Sequence, residues 1–184
     1  LSDERPMAAD VFVDDLGRVN LRLYQIGDVR LTDILPVLDN FGLVVQNQFA
    51  DPVRPTCGKR YTIDTFRILT ADAEGLLERR EDLIAGVEAV FSGHVENDGL
   101  NKLIVDAKLS WAEADLFRAY LGYNRQLGRS FTDSRTLEIL LAHPGLVKAM
   151  ASCFSARFDP CVKTGRKKRV EAAFLEIDAG IRAI

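Results

Sequence analysis

The sequence lacks the short motifs that mark most cofactor and nucleophile sites. No two of its 13 glycines lie two positions apart, so it contains neither the G-x-G of a dinucleotide-binding turn nor a P-loop. The G-x-S-x-G turn that presents a nucleophilic serine is also missing. The three cysteines are odd in number and have no C-x-x-C spacing. This pattern argues against a disulfide framework or a zinc site and favours reduced thiols.

Histidine is scarce, and its spacing does not form a metal-binding pair. Neither His94 nor His143 has a second histidine four residues away, so we interpret both as solvated or helix-capping side chains. Cys153 falls within an apolar helical stripe, where a packed thiol is typical. Cys161 follows a proline beside basic residues, and an unreactive thiol is its simpler interpretation. We therefore predict no catalytic, cofactor-binding or metal-binding residue in the chain.

Long apolar runs and a strong excess of one charge are absent as well. No stretch approaches the ~18–20 apolar residues of a membrane-spanning helix, and the polar start, LSDERPMAAD, has no basic segment followed by an apolar core. The net charge of −3 gives no global attraction to nucleic acid or to an anionic membrane. We expect a cytoplasmic protein with no nucleic-acid or membrane partner, and we interpret residues 1–15 as a linker in a chain excised from a longer protein.

The composition is that of a globular protein, 47% hydrophobic and 28% charged, and its periodicity is clear. Residues 18–26, RVNLRLYQI, alternate between apolar and polar and predict a half-buried strand. A helical stripe follows, with Thr32 or Asp33 as its predicted cap and Gly42 just beyond its end. Pro36 is tolerated only near the start of that helix.

Two more strands are predicted at 43–49 and 60–69, and beyond Ala73 the apolar spacing predicts helices alone. One helix begins with the capping box S-W-A-E at 110–113, and another begins after Thr132. We therefore predict an α+β chain with a small α/β unit over 16–75 and a helical domain over 76–184.

The helix after the capping box has an apolar stripe with arginines beside it. Core packing is predicted for the residues that recur at helical spacing, which are Leu116, Phe117, Tyr120 and Leu121. Arg118 and Arg125 lie off that stripe, so we expect them to face solvent or a partner.

Arg157 follows Phe154 and precedes Phe158, at the edge of an apolar stripe where a guanidinium often pairs with a carboxylate of another helix. The basic run KTGRKKR at 163–169 opens the last predicted helix. A solvated surface is the favoured reading of this run, and contact with phosphates is the alternative.

A family likeness is carried by three segments: LTDILPVLDNFGLVV at 31–45, DGLNKLIVDAKLSWAEADLFRAYLGYNRQLG at 98–128 and HPGLVKAMASCFSARFDP at 143–160. They resemble the large NAD-specific glutamate dehydrogenases, which are very long bacterial chains. The likeness extends over roughly 18–184. The ending, RKKRVEAAFLEIDAGIRAI, looks like the helix that precedes the catalytic region in that family.

The resemblance implies a position upstream of the catalytic centre. In that family, ACT-like domains (strand-helix-strand-strand-helix-strand units) lead into a helical region and then into the dehydrogenase core. The chain resembles the last ACT-like unit, which is ferredoxin-like, and the all-helical domain after it. The family's glutamate-handling lysine and Rossmann glycines match no position here, so no catalytic residue is implied and NAD would bind elsewhere in the parent chain. No clear final strand follows residue 75, which departs from a full ACT repeat.

The implied function is that of a non-catalytic segment, regulatory or for oligomerisation, of an enzyme that oxidatively deaminates L-glutamate to 2-oxoglutarate and ammonium. Its partners would be other domains of the parent chain, in a homo-oligomer. The alternative is a stand-alone ACT-type amino-acid-binding module. Its ligand would lie at the first strand–helix turn near Gly27, Asp28, Thr32 and Asp33, where N–H groups of a helix N-terminus can bind a carboxylate.

Overall fold

The structure, a computed structural model, describes residues 7–27, 29–53, 60–128, 132–161 and 164–184. The first part of the chain contains four strands and three helices. In chain order these are β1 (Met7–Val13), β2 (Val19–Ile26), α1 (Leu31–Asn40), β3 (Val44–Val53), β4 (Tyr61–Leu69), α2 (Ala73–Glu78) and α3 (Arg80–Phe91). A 3₁₀ turn and five helices follow. They are the turn Gly99–Asn101, α4 (Lys102–Asp106), α5 (Trp111–Gln126), α6 (Asp133–Ala142), α7 (Pro144–Phe158) and α8 (Arg166–Arg182). The α+β prediction is therefore confirmed.

The four strands form one antiparallel sheet in the order β1-β2-β4-β3. Leu21 of β2 illustrates the register of the sheet. It pairs with Val11 of β1 on one side and with Phe66 of β4 on the other. The last strand of a strand-helix-strand-strand-helix-strand unit would lie on the outer side of β2. In this chain β1 takes that place from the N-terminal side, so the sheet is complete without a strand after residue 75.

The prediction of a linker over 1–15 is wrong for residues 7–13. β1 reads MAADVFV, in which Ala8, Ala9 and Asp10 interrupt the apolar pattern of a strand. An edge strand pairs on one side only, so it needs few large apolar residues. Met7 and Val11 supply its contribution to the core, and both are buried.

One face of the sheet is covered by helices. Leu23 and Phe66 point from the strands into a core that receives Leu38 and Phe41 from α1 and Val87 from α3. Burial of these apolar side chains is the main favourable contribution to this packing. Because α3 packs against β1 as well as α1, the helical cover of the sheet extends past the predicted boundary at residue 75.

The start of α1 differs from its prediction. Arg30 is the N-cap residue and makes no side-chain capping bond, so Thr32 and Asp33 lie inside the first turn rather than at the cap. Pro36 is therefore inside the helix and not near its first position. Its ring removes a hydrogen bond to the carbonyl of Thr32, whose residue is exposed, so water can satisfy that oxygen.

The end of α1 agrees with its prediction. Gly42 has a φ of 74°, and its N–H donates to the carbonyl of Asp39 at 2.8 Å. The N–H of Leu43 donates to the carbonyl of Leu38 at 3.0 Å, which completes a Schellman motif. A side chain at residue 42 would also meet the stem of Lys102, 3.0 Å from its Cε. The backbone conformation therefore favours glycine, and a larger residue would also displace the Lys102 side chain.

The second part of the chain has its own apolar cluster. Leu103, Leu109, Phe117, Val147 and Ala151 are the centre of that cluster, and all of them are buried. Ile104 of α4 belongs instead to the core under the sheet, so α4 contributes to both clusters. Adjacent positions on one short helix thus join the helical region to the α/β unit.

The helix starts predicted in this region are confirmed. The Ser110 side chain accepts from the N–H of Glu113, and the Glu113 carboxylate accepts from the N–H of Ser110, which is the capping box of α5. Thr132 caps α6 through the N–H of Arg135. Among the described helices, none alone has the length and apolarity of a membrane span. The pair Ser134–Ala142 and Pro144–Phe158 meets that test only jointly and is bent by 96°.

Candidate functional site

The predicted ligand site at the first strand–helix turn is partly described. Gly27 has a φ of 82°, its N–H donates to the carbonyl of Arg60, and its own carbonyl accepts from Thr62. Asp28 lies outside the described residues. Gly27 therefore joins the end of β2 to the start of β4, and this gives the turn a fixed backbone position.

Thr32 and Asp33 are both exposed in the first turn of α1. The Asp33 carboxylate lies 3.0 Å from Nε of Arg30 and already provides the negative charge that a helix N-terminus favours. Gly27 and the two side chains of α1 therefore lie on adjoining segments. Binding of an amino-acid carboxylate there stays a prediction.

A buried polar cluster, missed from the sequence, lies near the same end of the sheet. The Asp64 carboxylate of β4 accepts from Nε2 of Gln25 on β2 and from Nε2 of Gln48 on β3, each at 2.7 Å. Asp64 is 4% exposed and Gln25 is 1% exposed. Burial raises the pKa of Asp64, and the hydrogen bond from Gln48 opposes that rise.

Three strands are therefore joined by side-chain hydrogen bonds around one carboxylate. Oε1 of Gln25 has no hydrogen-bond partner among the described residues. The cluster lies on the sheet face that the helices cover, so its role is to fix the strand register rather than to meet a substrate. In the sequence, alternation in β4 could not identify the buried face, because each face mixes polar and apolar residues.

A second polar cluster surrounds Arg118 of α5. Its guanidinium makes two hydrogen bonds to the Asp98 carboxylate, at 2.8 and 2.9 Å, and further bonds to Asn101 and Asp115. The Arg118 side chain is 11% exposed, so the prediction that it faces solvent or a partner is wrong. Arg125, by contrast, is exposed as predicted. Although burial opposes the charge, the Asp98 carboxylate raises the pKa of Arg118 above its usual value.

The Arg118 cluster holds the 3₁₀ turn against α5. Asp98 also caps that turn by accepting from the N–H of Leu100 at 2.9 Å. Both oxygens of the Asp98 carboxylate are therefore engaged in structural contacts, and the paired guanidinium–carboxylate hydrogen bonds fix the orientation of Arg118. The signal available in the sequence was Asp98 just before the turn, but its partner is 20 residues away.

A groove of about 490 Å³ with a mostly apolar lining lies between α5, α6, α7 and α8. We call it the apolar groove. Six of its side chains are 41–58% exposed although large and apolar or aromatic: Tyr120, Tyr123, Leu127, Met150, Phe158 and Phe174. The prediction that the α5 stripe is core is therefore correct for Phe117 and wrong for Tyr120, because no further helix of the described chain covers it.

One end of the apolar groove carries positive charge. The Arg157 guanidinium lies 5.3 Å from the ring centroid of Phe158 and lines the groove. Its predicted role, pairing with a carboxylate across helices, is replaced by this stacking contact. Arg166 of α8 donates to the backbone carbonyls of Arg157 and Asp159. The basic run therefore begins α8 beside the end of α7, although Lys163 lies outside the described residues.

The remaining reactive side chains are dispersed. Cys153 is buried at the groove floor and Cys161 is exposed, whereas Cys57 lies outside the described residues. His94 is exposed, and His143 connects α6 to α7. Within the described ranges no three His, Cys, Asp or Glu side chains are grouped so as to hold a metal ion.

Comparison with known proteins assigns both parts of the chain to one enzyme. Residues 7–81 match the family model described as glutamate dehydrogenase, ACT3 domain, and residues 95–160 match the model of glutamate dehydrogenase, helical motif 3. The chain belongs to the NAD-specific glutamate dehydrogenase family. The glutamate dehydrogenase ACT3 match begins at residue 7 and so includes β1.

Three NAD-specific glutamate dehydrogenases are similar to most of the chain. That of Halomonas elongata is 30% identical over 171 residues, or 90% of the chain. Those of Pseudomonas aeruginosa and Mycobacterium tuberculosis are 29% and 30% identical over 86% and 84% of it. The chain spans about 10% of the length of each of these glutamate dehydrogenases.

Proposed function

We propose that these 184 residues act as a non-catalytic segment, regulatory or for oligomerisation, of an NAD-dependent glutamate dehydrogenase. The full enzyme would convert L-glutamate, NAD and water to 2-oxoglutarate, ammonium and NADH in the cytoplasm, with NAD bound outside this segment. Its direct partners would be other domains of the same polypeptide, in a homo-oligomer, and neither nucleic acid nor a membrane.

The observation that carries this proposal is the pairing of an ACT3 match with a helical-motif match in a chain one tenth as long as its relatives. The arrangement of ionisable side chains supports it. Asp64 is 4% exposed and accepts from two glutamine side chains, and Arg118 is held by Asp98 and its neighbours. Catalytic groups must reach the reacting atoms of a substrate, which the burial of Asp64 opposes.

Substitution of the exposed reactive side chains in the full-length enzyme tests the proposal. We expect a His94→Ala, Cys161→Ala double variant to keep kcat, and the KM for glutamate and for NAD, within about twofold of the parent. Both residues are exposed, so the fold should be unaffected, and thermal unfolding provides the control. A loss of kcat of about tenfold or more at unchanged stability would place chemistry in this segment.

A second candidate function is amino-acid binding by the ACT-like unit. It is favoured by the exposed N-terminus of α1 next to the fixed turn at Gly27. Calorimetric titration with the common amino acids at millimolar concentration tests this function. A heat that disappears in Thr32→Ala and persists in Asp15→Asn, an exposed change in the β1–β2 turn, would support it. Absence of heat from every amino acid would exclude it.

A further inference from the structure

The apolar groove leaves more apolar surface uncovered than the packing of its own helices requires. Tyr123 is 58% exposed and Phe174 is 51% exposed, although both line the same concave surface. Large exposed apolar patches in folded proteins mark contact sites more often than they mark solvent-facing surface. Within the described residues nothing lies over this groove.

The exposure of the side chains of α8 points in the same direction. This helix has 17 residues, packs chiefly on α7, and buries only Ala173. A helix of this length is marginal without an apolar face packed against other elements. Phe174 and Ile177 line the groove, so a group that filled the groove would add the missing packing for α8.

Basic residues at the end of α7 and the start of α8 narrow the class of occupant, and of these Arg157 lines the groove. Arg166, Lys167, Lys168 and Arg169 form the first turn of α8, which contains no acidic residue. Cations at a helix N-terminus are opposed by the helix dipole, so this cluster is unfavourable on its own. Glu171 lies 4.0 Å from Lys167 and offsets only part of the charge.

Arg157 adds a further cation at that end. Within the described part of the chain, Asp159 is the acidic residue nearest in sequence to Arg157. The backbone N–H of Cys161 already donates to its carboxylate, at 2.8 Å. An occupant with a carboxylate at this end would therefore add a favourable charge contact near Arg157.

We propose that the apolar groove is the docking site of an amphipathic helix from another part of the same long polypeptide. The helix carries apolar residues at i, i+3 or i+4, and i+7, and carries Asp or Glu at the end that lies over Arg157. A groove formed by four helices accepts the side-chain ridges of a fifth helix. This inference rests on the proposed function in one respect, that the 184 residues are part of a longer chain.

The length of the relatives favours an occupant that belongs to the same polypeptide. The relatives are about ten times longer than the matched segment, so each carries many further helices in the same molecule. Tethering makes such a helix available at a high effective concentration, and an intramolecular contact needs little intrinsic affinity. A second copy of the groove is disfavoured because its described lining residues include no Asp or Glu that could meet the basic end.

Site-specific photocrosslinking in the full-length enzyme tests this proposal. p-Benzoylphenylalanine replaces Tyr123 in the groove or, as a matched control, Gln126, an exposed residue of the same helix that does not line the groove. We expect the Tyr123 probe to crosslink to a peptide from outside these 184 residues, with helical apolar spacing and at least two acidic residues at one end. Mass spectrometry identifies the peptide.

Several results would overturn the proposal. They are a crosslink to the groove of a second copy, labelling of lipid alone, a peptide without the acidic end, or a yield no higher than that of the Gln126 probe. Charge reversal tests the role of Arg157. The variant Arg157→Glu should lower the yield of the Tyr123 crosslink several-fold, whereas Arg182→Glu, at the far end of α8, should leave that yield unchanged. An unchanged yield in Arg157→Glu would contradict it. None of these results affects whether the 184-residue chain produces NADH, so the two proposals can fail separately.

Discussion

Asp64 is the carboxylate on which three strands of the ACT-like unit converge. It accepts a hydrogen bond from one glutamine side chain on each neighbouring strand, and it is 4% exposed. Since burial raises its pKa, the folded state holds the proton of Asp64 at a pH where the unfolded chain has released it. The free energy of unfolding should therefore depend on pH in the range where Asp64 titrates.

The variant Asp64→Asn removes that dependence. In the parent chain, the contribution of Asp64 to the free energy of unfolding should fall as pH rises from about 3.9, the unfolded pKa, to the higher folded pKa, and should be constant above it. Stability of Asp64→Asn relative to the parent should therefore increase over that window, as measured by urea unfolding at a series of pH values. Asp15→Asn, an exposed change, is the control. A difference between Asp64→Asn and the parent that is the same at every pH would contradict the assignment.

Arg118 is the second side chain whose role is decided by its partners. Replacing it with alanine removes the guanidinium donor from Asp98 and Asn101 and should cost about 2 kcal/mol in the free energy of unfolding. Arg135→Ala removes an exposed pair with Glu138 and should cost under about 0.5 kcal/mol. Denaturant unfolding compares the two, and equal small effects would mean that the Arg118 cluster does not hold the 3₁₀ turn.

Among the secondary-structure elements, β1 is the one whose packing tests whether the α/β unit begins before residue 16. Val11→Ala should reduce the free energy of unfolding by about 2 kcal/mol, because Val11 is buried between the sheet and its helices. Val13→Ala, in the same strand but 40% exposed, should have an effect under about 0.5 kcal/mol. Urea unfolding measures both. If residues 7–13 were a linker, the two variants would be equally harmless.

The elements that sequence predicts well are those whose signals are local. The capping box at Ser110, the stripe of α1 and Gly42 at its end all depend on residues within a few positions of one another. β1 could not be found in the same way, because its place depends on pairing with β2 and its own pattern is broken by Ala9 and Asp10.

The polar clusters escaped prediction for a related reason. Asp98 contacts Arg118 across 20 residues, and Gln25 contacts Asp64 across 39. Burial of such groups depends on which elements meet in the folded chain, and periodicity does not record that. The apolar groove was missed for the same reason. The apolar stripe of α5 predicts that one face of the helix is buried, but it does not identify the neighbour that covers that face.

For the whole molecule, the two apolar clusters are joined rather than separate. Ile104 belongs to the core under the sheet, Leu103 belongs to the helical core, and Trp111 packs against the former. The ACT3 domain and helical motif 3 therefore share a boundary through α4.

The measurement that tests the central claim most directly is NADH formation by the purified 184-residue chain supplied with L-glutamate and NAD. The chain should give no glutamate-dependent increase in NADH absorbance at any protein concentration, whereas the full-length enzyme in the same assay should give one. Circular dichroism establishes that the chain is folded under assay conditions. An increase that is proportional to chain concentration and requires glutamate would contradict the account.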